Sequence, residues 1–249
     1  MARLRTHRPS GSRGSAALAT ATVALAVLLT AGTAGARPIG PFDVGGAIEV
    51  EYDAAGGPGA LGDPTSPESD AAGGGKFQTF DRNAAIYWSA DTGAHQLGGP
   101  ILDKWRGLGA ETGGLRYPVT SEQSTPVKPG RFSHFQGGSV YWSVGTAAHQ
   151  VSGVIRDKWY ALGAENSPLG FPITDEAPAK NSGRYNLFND GAIYWSKATG
   201  AHAVWGSIRT SWEARASADG IYGYPTGDEY DYEGGKAQDF QGGRITWRP

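Results

Sequence analysis

Beyond residue 36 the apolar positions follow two rhythms in alternation. In "VIRDKWYALGAE" (154–165), Ile155, Trp159 and Leu162 stand at i, i+4 and i+7 and Gly163 follows at once. That spacing predicts a short helix with one apolar stripe, ended by glycine. Ile101, Trp105, Leu108 and Gly109 repeat the pattern, with Pro100 suited to a first helical turn, where its missing N–H is no loss. A proline corner comes next, "LGFPITDE" (169–176), and then a polar stretch whose length and composition vary along the chain, expected to be surface loop. In "RYNLFNDGAIYWSKATGAHAV" (184–204), the turn signals Asn189-Asp190-Gly191 and Thr199-Gly200 separate three β-prone runs, which predicts a three-stranded meander. Ile193 and Trp195 share one face of the middle run and Tyr194 the other. The alternation therefore predicts tryptophan in the core and tyrosine exposed.

This block recurs with a period of 52 to 54 residues. Trp88, Trp142, Trp195 and Trp247 keep the period, as do Trp105, Trp159 and Trp212, and so do Pro64, Pro118, Pro172 and Pro225. Four units result, at 47–99, 100–153, 154–206 and 207–249. The fourth stops at "ITWRP", without a "TGAH" run, while Phe42 lies six residues before Ile48 as His95 lies six before Ile101. These facts together predict a mainly β fold with short helices, arranged as a closed, pseudo-symmetric, propeller-like ring. The segment 37–46 would complete the last unit and so remove an open sheet edge.

Residues 1–36 carry four arginines, an apolar run from Ala16 to Leu29 and the exit Ala34-Gly35-Ala36, the pattern of a secretory signal peptide. Removing its arginines takes the formal net charge from −2 to −6. An acidic chain lacks the basic face that a nucleic acid partner needs. Nothing after the signal is apolar for long enough to predict a transmembrane segment. The chain has no cysteine, so thiol nucleophiles, disulfides and cysteine zinc sites are all excluded, and 37–249 is expected to be a single domain held by core burial.

The motif Leu169-Gly170-Phe171-Pro172, with its counterparts Leu115-Arg116-Tyr117-Pro118, Tyr222-Gly223-Tyr224-Pro225 and Leu61-Gly62-Asp63-Pro64, resembles the LGFP repeat family of actinobacterial secreted, cell-wall-associated proteins. The resemblance spans everything after the signal. It implies a non-catalytic module, without cofactors, that holds protein on cell-wall polysaccharide, often beside an envelope enzyme, with repeats around a pseudo-symmetry axis. Two departures stand out. Asp63 replaces the corner aromatic, which suggests a weakened binding position, and Arg116 replaces glycine, which predicts that this copy needs no left-handed backbone.

Three sets of periodic side chains are candidates for binding. His95, His149 and His202 would form a circle in a ring, and a metal-dependent hydrolase built on that circle is one alternative; the structural alternative has each imidazole bonded to a neighbouring loop. Glu122, Asp175, Glu176, Asp228 and Glu229 follow the corner prolines and could hold sugar hydroxyls or cap local turns. Tyr87, Tyr141 and Tyr194 could stack on sugar rings. The segment after the signal contains no HExxH, GxSxG, phosphate-cradling or EF-hand motif, so no enzyme activity is expected. The expected role is a secreted, non-catalytic binder of wall polysaccharide. A module that recruits or regulates a secreted envelope enzyme is the other alternative.

Overall fold

The computed structural model describes residues 35–249, so the predicted signal peptide lies almost wholly outside the described residues. A hairpin comes first, β1 (Arg37–Ile39) and β2 (Phe42–Val44). The first unit contains α1 (Gly46–Ala54), α2 (Gly57–Ala60) and the strands β3 (Ser69–Ala71), β4 (Gly75–Phe80), β5 (Ala84–Ser89) and β6 (Gly93–Gly98). The second contains α3 (Gly99–Gly107), β7 (Gln123–Ser124), β8 (Arg131–Phe135), β9 (Gly138–Ser143) and β10 (Ala147–Ser152). The third has α4 (Gly153–Ala161), β11 (Ala177–Ala179), β12 (Gly183–Phe188), β13 (Gly191–Ser196) and β14 (Gly200–Trp205). The fourth has α5 (Gly206–Glu213), β15 (Tyr230–Tyr232), β16 (Gly235–Phe240) and β17 (Gly243–Trp247). Among the described residues no helix is long and apolar enough to cross a membrane.

The helical stripes form as the spacing predicts, burying Ile101 with Trp105, Ile155 with Trp159 and Ile208 with Trp212. Each indole then fixes the corner: Trp105, Trp159 and Trp212 donate to the carbonyls of Arg116, Gly170 and Gly223 at 2.9, 3.2 and 3.0 Å. In the first unit Tyr52 takes this part, its hydroxyl 2.8 Å from the Gly62 carbonyl. The carbonyl can face the indole because the corner residue is left-handed, with φ of 81°, 74° and 62° at Gly62, Gly170 and Gly223. Arg116 also adopts φ of 60°, so the expectation that this copy escapes the left-handed backbone is wrong. The indole bond and the bridge from Pro118 to Phe135 impose the conformation whatever the side chain.

The meanders also form, with one strand more than predicted. Sheets run β3-β4-β5-β6, β7-β8-β9-β10 and β11-β12-β13-β14, all antiparallel, and the fourth is β15-β16-β17. The additional strand comes from the variable polar stretch. It is only two or three residues long and sits at an edge, where composition leaves no period to read.

Every complete sheet lies between two helices. Ile193 and Trp195 pack toward α4 with Ile155 and Trp159, while Ala192 and Tyr194 pack toward α5 with Ile208 and Trp212. The middle strands are thus buried on both faces, and the inside-outside alternation predicted for them does not hold.

No closed barrel or propeller is seen among the described residues, and β2 does not complete the last sheet. It pairs with β1, with Arg37 opposite Val44 and Ile39 opposite Phe42. That register matches Ala192 opposite Val204 and Tyr194 opposite His202 in the third sheet. The hairpin therefore places before α1 what β13 and β14 place before α5. The Asp43 carbonyl accepts the Gln78 amide at 2.9 Å, as the Ala203 carbonyl accepts Gln238 at 2.8 Å. The alignment of Phe42 with the histidine run was sound, but the segment brings its own partner strand and serves the first unit.

Candidate functional site

In each of the four repeat sheets a basic side chain stands directly across from the periodic tryptophan: Lys76 from Trp88, Arg131 from Trp142, Arg184 from Trp195 and Lys236 from Trp247. The residue four places after the corner proline is glutamate each time, Glu68, Glu122, Glu176 and Glu229. In the third unit Trp195, Arg184, Glu176 and Ile155 line an open cavity of about 340 Å³. Their counterparts Trp88, Lys76, Glu68 and Ile48 line one of about 230 Å³ in the first. Lys236 and Trp247 border a cavity of about 480 Å³ in the fourth, where Trp247 is 41 % exposed. A half-buried indole flanked by a carboxylate and a base is the repeating surface feature of this chain.

The four copies have two polar patterns. Glu122 and Glu176 have side chains only 7 % and 16 % exposed, and both their oxygens are engaged. Glu122 accepts from Arg131 Nε and, at 2.9 Å, from Gly98 N. Glu176 accepts from Arg184 Nε and Ser152 Oγ, both at 2.7 Å. In the first and fourth units lysine replaces arginine and turns to a different acid, Asp70 or Asp231, each at 2.5 Å. Ser124 and Pro178 occupy that aspartate position in the arginine units, so base and acid change together. Glu68 and Glu229 remain within electrostatic reach of Lys76 and Lys236 without bonding to them, and burial pushes the Glu229 carboxyl above the usual range.

Asp175 and Asp228 serve the junctions between units. Asp175 accepts from Gln150 N and Lys104 Nζ, both at 2.8 Å, and lies 3.4 Å from His149 Nδ1. These donors hold its carboxyl well below the usual range against the opposing effect of burial. Asp228 repeats the arrangement with Ala203 N, Lys158 and His202. At the first junction the polarity is reversed: Glu51 stands in the lysine position, and Ser121, in the aspartate position, donates to it. Gln96 N donates to the same Glu51 carboxylate at 3.1 Å. The aspartates thus join successive units, and the expected local turn caps are not what they form.

The histidines do not make a circle around a metal. His95 and His202 donate Nε2–H to the Thr92 and Thr199 carbonyls of their own hairpins, at 2.9 and 2.8 Å. Their other ring faces meet Ser121 and Asp228 of the following corner. Among the described residues no group of three or more His, Asp or Glu side chains is placed to hold a metal ion. The loop-bonding alternative describes His95 and His202, while His149 makes no such bond and lies beside Asp175.

The tyrosines are core residues, which corrects their expected exposure. Tyr87, Tyr141 and Tyr194 are 5 %, 5 % and 8 % exposed, each set edge-on to the next helix's tryptophan at 4.6 to 4.8 Å between ring centroids. Burial pushes the Tyr194 hydroxyl up to about 12 and the other two upward as well. The corner aromatics are likewise internal: Tyr117 and Tyr224 reach back to the carbonyls of Ala72 and Lys180 in the preceding unit. Asp63 follows a two-stranded hairpin that offers no third strand for a corner ring to reach, so the absence of the ring matches its position in the array. The tryptophans and bases were missed as site residues: Lys76, Arg131, Arg184 and Lys236 precede Trp88, Trp142, Trp195 and Trp247 by 11 or 12 residues in the sequence, but that they stand opposite each other follows only from the strand pairing.

A tandem array of helix-corner-sheet units, each sharing its core with the next, defines this chain as a repeat protein. It belongs to the LGFP repeat family, whose model, described as LGFP repeat, matches residues 61–113, 115–167, 169–220 and 223–249. The family unit starts at the corner, with the same period and a shifted origin. No curated protein matches the chain.

Proposed function

We propose that the chain is an exported, non-catalytic module that holds to cell-wall polysaccharide through its repeated tryptophan sites. The observation that carries this reading is the recurrence, in all four repeat sheets, of an indole directly across from a base, with a glutamate lining the same cavity in the first and third units. Sugar rings present C–H faces that pack on an indole, while flanking polar groups hold the hydroxyls. Each site is shallow and weak alone. Several on one array meet the same polymer at high effective concentration, which is how a repeating ligand is retained. The most exposed apolar side chains, Val50, Val127, Val144 and Ile221, lie in three different units and are separated in sequence, as scattered surface apolar residues usually are.

The test is co-sedimentation of the protein with purified wall polysaccharide at low ionic strength. Wild-type protein is expected in the pellet, and Trp142→Ala with Trp195→Ala is expected to release most of it, with the far-ultraviolet circular dichroism showing that the variant is still folded although it has lost packing against the two cores. Absence of wild-type protein from the pellet would overturn the reading.

A further inference from the structure

The four tryptophan sites are not chemically equal, and the difference specifies what kind of sugar each accepts. Resting on the polysaccharide reading above, we propose that the sites of the second and third units take a sugar carrying an oxyanion, a carboxylate or a phosphate, and that those of the first and fourth units exclude it.

In the second and third units the glutamate is nearly sealed from solvent and both its oxygens already accept bonds from the protein. It holds the guanidinium of Arg131 or Arg184 by Nε alone, and these arginine side chains are 44 % and 43 % exposed. What remains for a ligand beside Trp142 or Trp195 is the edge carrying the two terminal nitrogens. That edge is planar, donates only, and matches the two oxygens of a carboxylate or phosphate. No second acid stands at Ser124 or Pro178 to compete for it.

In the first and fourth units the balance is opposite. Two carboxylates, Glu68 with Asp70 or Glu229 with Asp231, surround one lysine, whose ammonium is already paired with the aspartate. An oxyanion on Trp88 or Trp247 would meet net negative charge. A neutral sugar meets both acceptors and a donor there. The coupled exchange of lysine with aspartate for arginine with serine or proline is what separates the two classes.

Indole N–H signals of Trp88, Trp142, Trp195 and Trp247 in the 15N-labelled protein report each site separately. The probes are methyl β-D-glucuronide, a glucose phosphate and methyl β-D-glucoside. Trp142 and Trp195 are expected to titrate with one or both oxyanion probes at about fivefold lower concentration than with the glucoside, the gain of a charge-assisted over a neutral hydrogen bond. Trp88 and Trp247 are expected to prefer the glucoside. A response to the glucuronide alone assigns a carboxylate, and to the phosphate alone a phosphate ester. Pro178→Asp with Arg184→Lys should abolish the oxyanion preference at Trp195 while Trp142 in the same molecule keeps it. Asp231→Ser with Lys236→Arg should confer it on Trp247. If all four indoles titrate alike with every probe, the inference is overturned and the carbohydrate reading stands. If no indole moves with any probe, both are overturned.

Discussion

Replacing Arg116 by glycine should make the protein more stable, although it deletes an entire charged side chain. Arg116 occupies the left-handed region at φ of 60°, where the three equivalent residues are glycines. An L-residue there costs about 1 to 2 kcal/mol. Glycine returns about 0.4 to 1 kcal/mol of that through the greater freedom of the unfolded chain. The guanidinium also shares a cavity of about 240 Å³ with Asp91 and Glu111, and exposed charges attract each other by less than about 1 kcal/mol. The net expectation is a gain of roughly 0.5 kcal/mol, seen as a rise of about 1 to 2 °C in Tm for a domain of this size. Arg116→Ala separates the two effects, because it keeps the backbone strain and loses the charge; it should fall slightly below wild type. Thermal melts of the three proteins by near-ultraviolet circular dichroism decide the matter. Should Arg116→Gly melt below wild type, the strain argument fails and the arginine side chain is contributing more than its backbone costs. The converse change, Gly170→Arg, should be the more damaging, since its Cβ would lie 2.9 Å from Asn189 Oδ1, the acceptor of the Phe171 N–H bond.

Two further outcomes follow from the corner and the junction. Trp159→Tyr should retain about 1 kcal/mol more stability in urea than Trp159→Phe, because Tyr52 already makes the same bond to a corner carbonyl in the first unit and phenylalanine leaves the Gly170 carbonyl unpaired. The native state holds the Asp175 carboxyl below its unfolded value, so its contribution is present above pH of about 4 and fades as pH falls through the native value. The urea midpoint difference between wild type and Asp175→Ala should therefore shrink on going from neutral to strongly acid solution, and a difference that grows would refute the assignment.

Much of this architecture is legible in the sequence because the period is strict. Ile155 with Trp159 and their counterparts fix the helices, and Asn189-Asp190-Gly191 fixes a hairpin. The facing of the middle strand was not legible. Alternation distinguishes core from solvent only when one face is wet, and β13 is covered by α4 on one side and α5 on the other. Trp195 reaches the surface because it lies near the strand end, opposite Arg184, a fact of register that requires knowing the pairing. The expected completion of the last unit by 37–46 failed for a similar reason. Phe42 aligns with the histidine position, yet Arg37–Ile39 supplies a partner that three residues were too few to announce.

The reversed first junction bears on how such near-identical units find the right neighbours. Lys104 and Lys158 face Asp175 and Asp228, whereas Glu51 faces Ser121. If α1 docked one unit out of place, Glu51 would be pressed against the Asp175 carboxylate, and Lys104 would meet an uncharged serine in exchange. A mismatch at one junction thus spoils two. The polar clusters consequently mark the first junction apart from the two lysine–aspartate junctions, so that α1 fits only the unit that follows it and is kept from docking further along the array.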